Sequence, residues 1–169
     1  MAGTITAFDI GESMVKIVTV AGNTVKKAVS LELPDNLVSD GAVLFNDAMA
    51  ETLRAAMQKG GISKGKAAVI LPDSLVSSRN VVVPPMTEAQ LKYNLPFEFK
   101  DYLTQEKSRY YFDYAVQEIV REQDEPKEMR LFACAALKET IEQYRTLFRL
   151  AGCKLQNAIP EEVAFGSLV

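Results

Sequence analysis

The stretch from Ile5 to Val20, ITAFDIGESMVKIVTV, constrains the fold more than any other part of the chain. Apolar residues alternate with small or polar ones before and after the segment from Asp9 to Ser13. A period of two is typical of half-buried strands, so the stretch predicts two strands joined by a tight turn. Gly11 can take a positive φ there, and its missing Cβ lets another group approach the backbone closely.

This turn is also a candidate phosphate-binding loop. Backbone amides of the turn, with Ser13 and Lys16 nearby, can cradle a phosphate, while Asp9 can hold a metal-bound water. The alternative is a hairpin turn in which Gly11 serves geometry alone. Short Asp-x-Gly turns are common, so these residues by themselves favour the hairpin.

Composition excludes several classes of function. The 169 residues suit one domain or two small lobes, and 19 basic against 22 acidic residues argue against nucleic acid or an anionic membrane surface as the main partner. Histidine is absent, which removes Ser-His and Cys-His nucleophilic schemes and most zinc sites. No apolar run approaches the roughly 18 residues of a membrane span. Any chemistry must therefore rest on carboxylates, lysine or a bound nucleotide with its metal.

The first half of the chain predicts the rest of one sheet and a covering helix. A third strand is expected from Val25 to Leu33, and a helix from Asp47 to Lys59 with Asn46 as its N-cap. Met49, Leu53 and Met57 give this helix one apolar stripe. The apolar run from Lys66 to Leu71 then predicts a buried strand that returns to the sheet.

The composition changes after Ser74, and a second lobe begins. A strand is predicted from Leu75 to Val83, followed by a helix from Thr87 to Leu103 with Pro96 inside it. Thr87 and Gln90 have the spacing of a capping box.

Paired strands are predicted for Tyr110 to Arg121 and Met129 to Leu137, joined by the polar loop from Glu122 to Lys127. A helix from Glu139 to Ala151 and a strand from Lys154 to Ile159 follow. The chain ends on an apolar stretch, whereas natural termini are usually polar, so we expect a truncated gene product or a fragment.

Aromatic residues crowd the second lobe and offer two interpretations. Packing in a core is the simpler one. The sharper one is a groove for a partner peptide, lined by Leu95, Phe97, Phe99 and Tyr102. Glu98 and Glu118 have no spacing that would pair them for catalysis, and Cys134 is expected to be a small core residue.

Several stretches together resemble a known family. They are AFDIGESMVKIV, LPDNLVSDGAVLFN, AAVILPDSLVSSRNVVVPPMTEAQL, FDYAV and FACAALKETIEQYRTLFRLAGCKLQNAI. Their order resembles the PilM family of type IV pilus assembly, in the FtsA/PilM branch of the actin-like ATPases. The resemblance implies an α/β fold, the N-terminal half of an actin-like ATPase, with a ribonuclease-H-like mixed sheet. Residues 1–72 with 153–169 would form subdomain 1A, and residues 73–152 the insert subdomain 1C, a strand-helix-strand-strand lobe with a following helix.

The same resemblance assigns roles to the opening turn. Asp9, Gly11, Ser13 and Lys16 match the first phosphate motif, with Glu12 inside it, and Asp9 would organise magnesium through water. ATP with Mg is the cofactor of the family. The second actin-like half, which supplies the other phosphate loop and the adenosine pocket, is not in this sequence. We therefore expect ATP to bind this chain weakly or not at all, and we expect it to be non-catalytic. Two departures from the family pattern are Leu103-Thr104 in place of Ile-Pro and Pro160 in place of aspartate.

The function implied is that of an adaptor on the cytoplasmic face of the inner membrane. A PilN-like membrane protein would be the partner, its short N-terminal peptide docking between the lobes, and self-association stays open. Three alternatives remain: the cytoplasmic scaffold of a GspL-like type II secretion component, an FtsA-like cell-division protein, and a true ATPase or sugar kinase of the superfamily.

Overall fold

The structure is a computed structural model that describes residues 3–166, and it divides into two compact units. Unit 1 combines Met1–Leu75 with Thr140–Val169, and unit 2 is Val76–Glu139. The elements in chain order are β1 (Thr4–Ile10), β2 (Met14–Ala21), β3 (Thr24–Glu32), β4 (Val38–Ser39), β5 (Ala42–Val43), α1 (Asn46–Lys59), β6 (Lys66–Leu71), β7 (Val76–Val83), α2 (Glu88–Glu98), β8 (Tyr110–Glu122), β9 (Glu125–Leu137), α3 (Lys138–Ala151), β10 (Lys154–Pro160) and α4 (Glu161–Gly166).

Unit 1 is built on a five-stranded mixed sheet in the order β10-β6-β1-β2-β3. The first three strands form an antiparallel meander, as their alternating patterns predict, with Phe8 opposite Ile17. β6 returns after α1 and lies parallel to β1, and β10 lies parallel to β6. A helix between two strands makes this parallel crossover possible, whereas short turns produce antiparallel neighbours.

The core of unit 1 lies between this sheet and the helices α1 and α3. Met49, Leu53 and Met57 are buried on α1, as the predicted stripe requires. Asn46 is the first residue of α1 rather than its N-cap. Phe45 takes the cap position without a side-chain hydrogen bond, and the Asn46 Nδ2 donates to the Gln143 carbonyl oxygen at 3.4 Å.

Helix α3 packs in unit 1, although the sequence places it in the second lobe. Phe148 on α3 is fully buried with its ring against Phe8 of β1, and the Gln143 side chain donates to the Val43 carbonyl oxygen at 2.6 Å. The unit boundary therefore falls at the start of α3, between Glu139 and Thr140, rather than after Gly152. The amphipathic pattern predicts the helix but does not say which sheet its apolar face will cover.

Unit 2 is a three-stranded antiparallel sheet, β7-β9-β8, covered by α2. The capping box is present, since the Gln90 amide donates to the Thr87 hydroxyl and the Thr87 amide to the Gln90 side chain. The helix ends at Glu98, earlier than the predicted Leu103, with Pro96 in its last turn. The core of unit 2 consists of Val81, Val83, Leu91, Leu95, Phe99, Tyr110, Met129, Leu131, Ala133 and Ala135.

The β8–β9 hairpin closes more tightly than the polar loop of the sequence predicts. Glu122 pairs with Glu125, so two residues make the turn. Gln123 and Asp124 both take positive φ, 51° and 68°. Two consecutive left-handed residues match the right-handed twist of the strands, and for this reason such turns join hairpins of this kind.

Candidate functional site

The turn between β1 and β2 places Asp9 directly opposite Lys16 in the strand register. The Lys16 Nζ lies 3.2 Å from the Asp9 Oδ2, and both side chains are partly exposed. An exposed ion pair of this kind contributes little to stability, typically under about 1 kcal/mol. Its consequence is electrostatic, because the cation expected to meet a phosphate already has a carboxylate partner.

Gly11 serves the geometry of the hairpin, the alternative that its sequence context favours, but without a positive φ. Its φ is not positive, and its amide donates to the Met14 carbonyl oxygen at 3.0 Å. A Cβ at this position would lie 3.2 Å from the same oxygen, so glycine serves the close approach of the two chain segments. The Gly11 amide is therefore used by the hairpin and is not free for a phosphate.

Glu12 holds a neighbouring loop. Its Oε1 accepts a hydrogen bond of 3.0 Å from the Asp40 amide, and the Ser74 hydroxyl donates to the Asp40 carbonyl oxygen at 2.7 Å. Gly41 follows with a φ of +77°, and a Cβ there would lie 2.5 Å from the Pro72 Cγ. Glu12 thus supports the wall of a cleft.

These residues line a cleft of about 360 Å³, referred to below as the turn cleft. It brings together three of the predicted residues, Asp9, Gly11 and Glu12, and leaves Ser13 and Lys16 outside its lining. The lining is completed by Ile10, Asp40, Gly41, Ile70, Pro72, Ser74 and Glu161.

Four carboxylates line the turn cleft, from Asp9, Glu12, Asp40 and Glu161, and among the described residues no lysine or arginine does. Negative charge opposes a bare phosphate, so a nucleotide would need a divalent cation between its phosphates and the protein. Within residues 3–166 no group of three or more carboxylate, cysteine or histidine ligands is close enough to hold a metal ion. A single carboxylate such as Asp9 fits magnesium that keeps most of its waters.

The sequence missed the part of the turn cleft that comes from later in the chain. Asp40-Gly41 is recognisable as a turn, but Pro72, Ser74 and Glu161 carry no motif. Their places depend on the parallel return of β6 and β10 beside β1.

The four residues predicted as a partner groove divide into two pairs. Leu95 is 3% exposed and Phe99 is fully buried, so both belong to the core of unit 2 and cannot line an open groove. Phe97 and Tyr102 are about half exposed, at 50% and 56%. The spacing of four that brings Leu95 and Phe99 onto one helix face also separates them from Phe97.

Phe97 and Tyr102 each have one cation over the face of the ring. The Lys107 Nζ lies 3.6 Å from the centre of the Phe97 ring, and the Arg79 guanidinium lies 4.2 Å from that of Tyr102. Tyr93, which is 72% exposed, packs beside Phe97 with ring centres 5.9 Å apart. We call Tyr93, Phe97 and Tyr102 the aromatic surface of unit 2.

The two cysteines do not form a reactive site. Cys153 is buried with its thiol against the Met57 sulfur at 3.7 Å. Burial raises the pKa of the Cys134 thiol, with the nearby Asp113 carboxylate contributing in the same direction. A raised pKa keeps the thiol protonated and unreactive. No helix within residues 3–166 is long and apolar enough to cross a membrane.

The mixed sheet with its hairpin at Asp9–Ser13 and the inserted three-stranded unit define an α/β protein of the actin-like ATPase fold. A family model described as "Type IV pilus assembly protein PilM" matches residues 7–159. Because this match covers most of the sequence, the chain belongs to the PilM family.

Solved structures agree with the fold. The chain is similar to one in a "PilM-PilN type IV pilus biogenesis complex", with a TM-score of 0.85 and 22% identity, covering 97% of this chain and 49% of that one. It is also similar to the cytoplasmic domain of EpsL, an inner membrane component of the type II secretion system of Vibrio cholerae. The TM-score there is 0.62 with 14% identity, covering 96% of this chain and 59% of the other. The chain thus spans about half the length of these relatives. No curated protein sequence matches it.

Proposed function

We propose that this chain is an adaptor of type IV pilus assembly that binds the cytoplasmic tail of a PilN-like membrane protein. Membership of the PilM family is the observation that carries this proposal. The similarity over 97% of the chain to a protein solved in a PilM–PilN complex supports it. The adaptor would work on the cytoplasmic side of the inner membrane, held there through its partner.

The aromatic surface of unit 2 is the part of this chain that we assign to the tail. Tyr93 and Phe97 are exposed side by side on α2, and contiguous exposed apolar patches mark sites that a partner covers. A short apolar peptide would bury these rings, while the Lys107 ammonium beside Phe97 would remain available for a carbonyl or carboxylate of the peptide.

A peptide titration tests both the partner and the surface. The probe is the N-terminal cytoplasmic peptide encoded by the neighbouring pilN-like gene, titrated into the labelled chain while amide chemical shifts are followed. We expect saturable shifts at Tyr93, Phe97 and their neighbours. The double variant Tyr93→Ala/Phe97→Ala should weaken binding about tenfold or more, since buried aromatic anchors dominate such interfaces.

Val82→Ser provides the matched control. Val82 is 60% exposed on β7 of the same unit, but it is not part of the aromatic surface. Its variant should bind as the wild type does. Binding with unchanged affinity in the aromatic variant would overturn the assigned surface, and no binding at millimolar peptide would overturn the adaptor function.

A type II secretion scaffold is the second candidate, favoured by the similarity to the EpsL cytoplasmic domain. The two candidates differ in the gene that encodes this chain and in its neighbours. A membrane span encoded downstream of Val169 would support the secretion scaffold. A separate adjacent gene for the membrane partner would support the pilus adaptor.

ATP binding is the third candidate and rests on the turn cleft. Asp9 and Gly11 line that cleft in the positions that the resemblance assigns to the phosphate motif. The acidic lining requires magnesium, so we propose that nucleotide, where it binds, binds as Mg-ATP and weakly.

A further inference from the structure

Unit 1 has a second cleft at the end of the sheet opposite the Asp9–Ser13 turn. It lies where β1, β3 and β6 begin and β2 ends, and its volume is about 540 Å³. Four lysines line it, Lys26, Lys27, Lys64 and Lys66, and no carboxylate of the described residues does. We propose that this lysine cleft binds a phosphate-bearing ligand.

Three of the four lysine side chains lie close to the backbone of another segment. The Lys27 Nζ donates to the Gly61 carbonyl oxygen, just past the end of α1. The side chain of Lys64 lies over Gly152, so close that a Cβ there would be 2.8 Å from the Lys64 Cδ. The Lys66 Nζ lies 3.8 Å from the position that a Cβ of Gly3 would take. All four lysines are exposed, so they are accessible to a ligand from solvent.

The positive charge of the cleft has no counter-charge among the described residues. Within residues 3–166 no carboxylate lies within ion-pair distance of Lys26, Lys27, Lys64 or Lys66. Lys154 of β10 adds a fifth cation, because it pairs with Lys66 in the strand register. Like charges on paired strands repel, and a bound anion would remove this cost. The local excess is notable in a chain whose net charge is −3.

Two buried hydroxyls complete the lining. Thr6 is 5% and Thr19 is 8% exposed. Their Oγ1 atoms lie 3.1 Å apart, so one hydroxyl donates to the other. Each hydroxyl has one proton, and the pair therefore retains one donor that can turn toward an anion at the inner end of the cleft.

Phosphate uses this set of donors better than a carboxylate does. A phosphate group carries up to two charges and three acceptor oxygens in a monoester, enough for several ammonium groups and a hydroxyl at once. Lysine binds phosphate as a point charge and needs no planar fork. The volume falls in the range of small-molecule sites, roughly 300–1,000 Å³, which suits a phosphorylated metabolite or a lipid headgroup.

Amide chemical shifts test the proposal on the intact chain at low salt. The probes are inorganic phosphate, pyrophosphate and vesicles of phosphatidylglycerol in phosphatidylcholine, with pure phosphatidylcholine vesicles and sodium acetate as references. We expect saturable shifts at Thr4, Thr6 and Gly65 with pyrophosphate stronger than phosphate, and weaker binding as salt is added. A response to phosphatidylglycerol vesicles that exceeds the response to free phosphates would identify a headgroup as the source.

Lys66→Gln and Lys100→Gln form the matched pair of variants. Lys66 lines the cleft, whereas Lys100 is an exposed lysine of unit 2, and both changes remove one positive charge. Lys66→Gln should weaken binding roughly fivefold to tenfold, and Lys100→Gln should leave it unchanged. Thr19→Val should weaken it as well, through loss of the hydroxyl donor. Equal binding by the two lysine variants, or no response to any phosphate probe at about 10 mM, would overturn the proposal. Neither outcome bears on tail binding, which involves unit 2.

Discussion

The ring of Phe148 meets the ring of Phe8 edge to face, with centroids 4.9 Å apart and planes at 75°. Phe8 comes from the first strand and Phe148 from α3, and both are completely buried. This contact joins the two sequence segments of unit 1, since Phe8 and Phe148 are 140 residues apart along the chain. Edge-to-face pairs add about 0.5–1.5 kcal/mol beyond the apolar area that they bury.

Phe148→Ala should therefore lower the free energy of unfolding by about 3–5 kcal/mol, because it leaves a ring-sized cavity under the sheet. Urea denaturation followed by circular dichroism measures the change. Leu150→Ala on the same helix is the control, since Leu150 is 37% exposed and should cost clearly less. Similar losses from both variants would contradict the packing of α3 in unit 1.

Gly41→Ala should lower the thermal stability of the chain more than Gly65→Ala does. At Gly41 a Cβ would lie 2.5 Å from the Pro72 Cγ and 2.6 Å from the Ser74 Oγ, and φ is +77°. The left-handed backbone alone costs a non-glycine residue about 1–2 kcal/mol. Gly65→Ala is the control, because nothing lies within 4 Å of the added Cβ. The two thermal midpoints should differ by several degrees, and equal midpoints would contradict the tight wall of the turn cleft.

Leu95→Ala should destabilise unit 2 by about 2–5 kcal/mol. Leu95 is buried with Phe99 in the core of that unit, while Tyr93, two residues earlier on α2, is 72% exposed. Tyr93→Ala should therefore change the urea midpoint little. Hydrogen exchange of the β9 amides separates the loss in unit 2 from any loss in unit 1. Unchanged exchange in Leu95→Ala would show that the helix face is assigned wrongly.

The Tyr144 hydroxyl gives the stability of unit 1 a dependence on alkaline pH. Burial raises the pKa of Tyr144 to about 12 from an ordinary value of 10.0. The folded chain thus keeps a proton that the unfolded chain loses above about pH 10, so this contribution to stability is complete below pH 10 and declines as pH rises toward 12. Tyr144→Phe removes it.

The difference in urea midpoint between wild type and Tyr144→Phe should therefore shrink or reverse from pH 9 to pH 11. Comparison with the variant cancels the titration of the other tyrosines and the lysines, which both chains share. A constant difference across this pH range would show that Tyr144 is not buried.

Mg-ATP should bind this chain with a dissociation constant weaker than about 10 µM. The Gly11 amide and the Glu12 carboxylate already have partners within the protein, and the turn cleft is lined by carboxylates. Three charge-assisted hydrogen bonds of about 1.5–3 kcal/mol each make up most of a micromolar affinity. A cleft that cannot offer such bonds to the phosphates therefore binds ATP weakly. Isothermal titration measures the dissociation constant.

Asp9→Ala is the companion variant. Weaker Mg-ATP binding by this variant would support Asp9 as the indirect ligand of magnesium. A dissociation constant of about 10 µM or tighter would contradict this prediction and would show that the turn cleft offers further hydrogen-bond donors to the nucleotide.

Local patterns in the sequence account for a large part of the fold. The period of two around Asp9–Ser13 predicts the β1–β2 hairpin, and the spacing of Thr87 and Gln90 predicts the start of α2. The apolar stripe of α1 is likewise buried as predicted. These features depend on residues within one or two turns of each other, so neighbouring residues suffice to specify them.

The candidate site was predicted only in part. Asp9, Gly11 and Glu12 do meet in one cleft, but the partner of Glu12 is the Asp40 amide, 28 positions away. Likewise, the aromatic crowding of unit 2 was visible in the sequence, while its division into buried Phe99 and exposed Phe97 was not. The sequence shows that a residue is aromatic, but it does not show whether the side chain is buried in a core or exposed on a surface.

The sequence by itself determined the strands, the helices with their faces, and the membership of the PilM family, because each of these is encoded by residue order and local spacing. Tertiary structure alone decided that α3 packs on β1, that Glu12 supports the Asp40 loop, and that four lysines from two segments line one cleft. The physical reason is the distance along the chain. Contacts between remote segments form where the burial of apolar faces brings whole helices and strands together. Which elements meet depends on the packing of the entire unit, and a local stretch of sequence does not specify it.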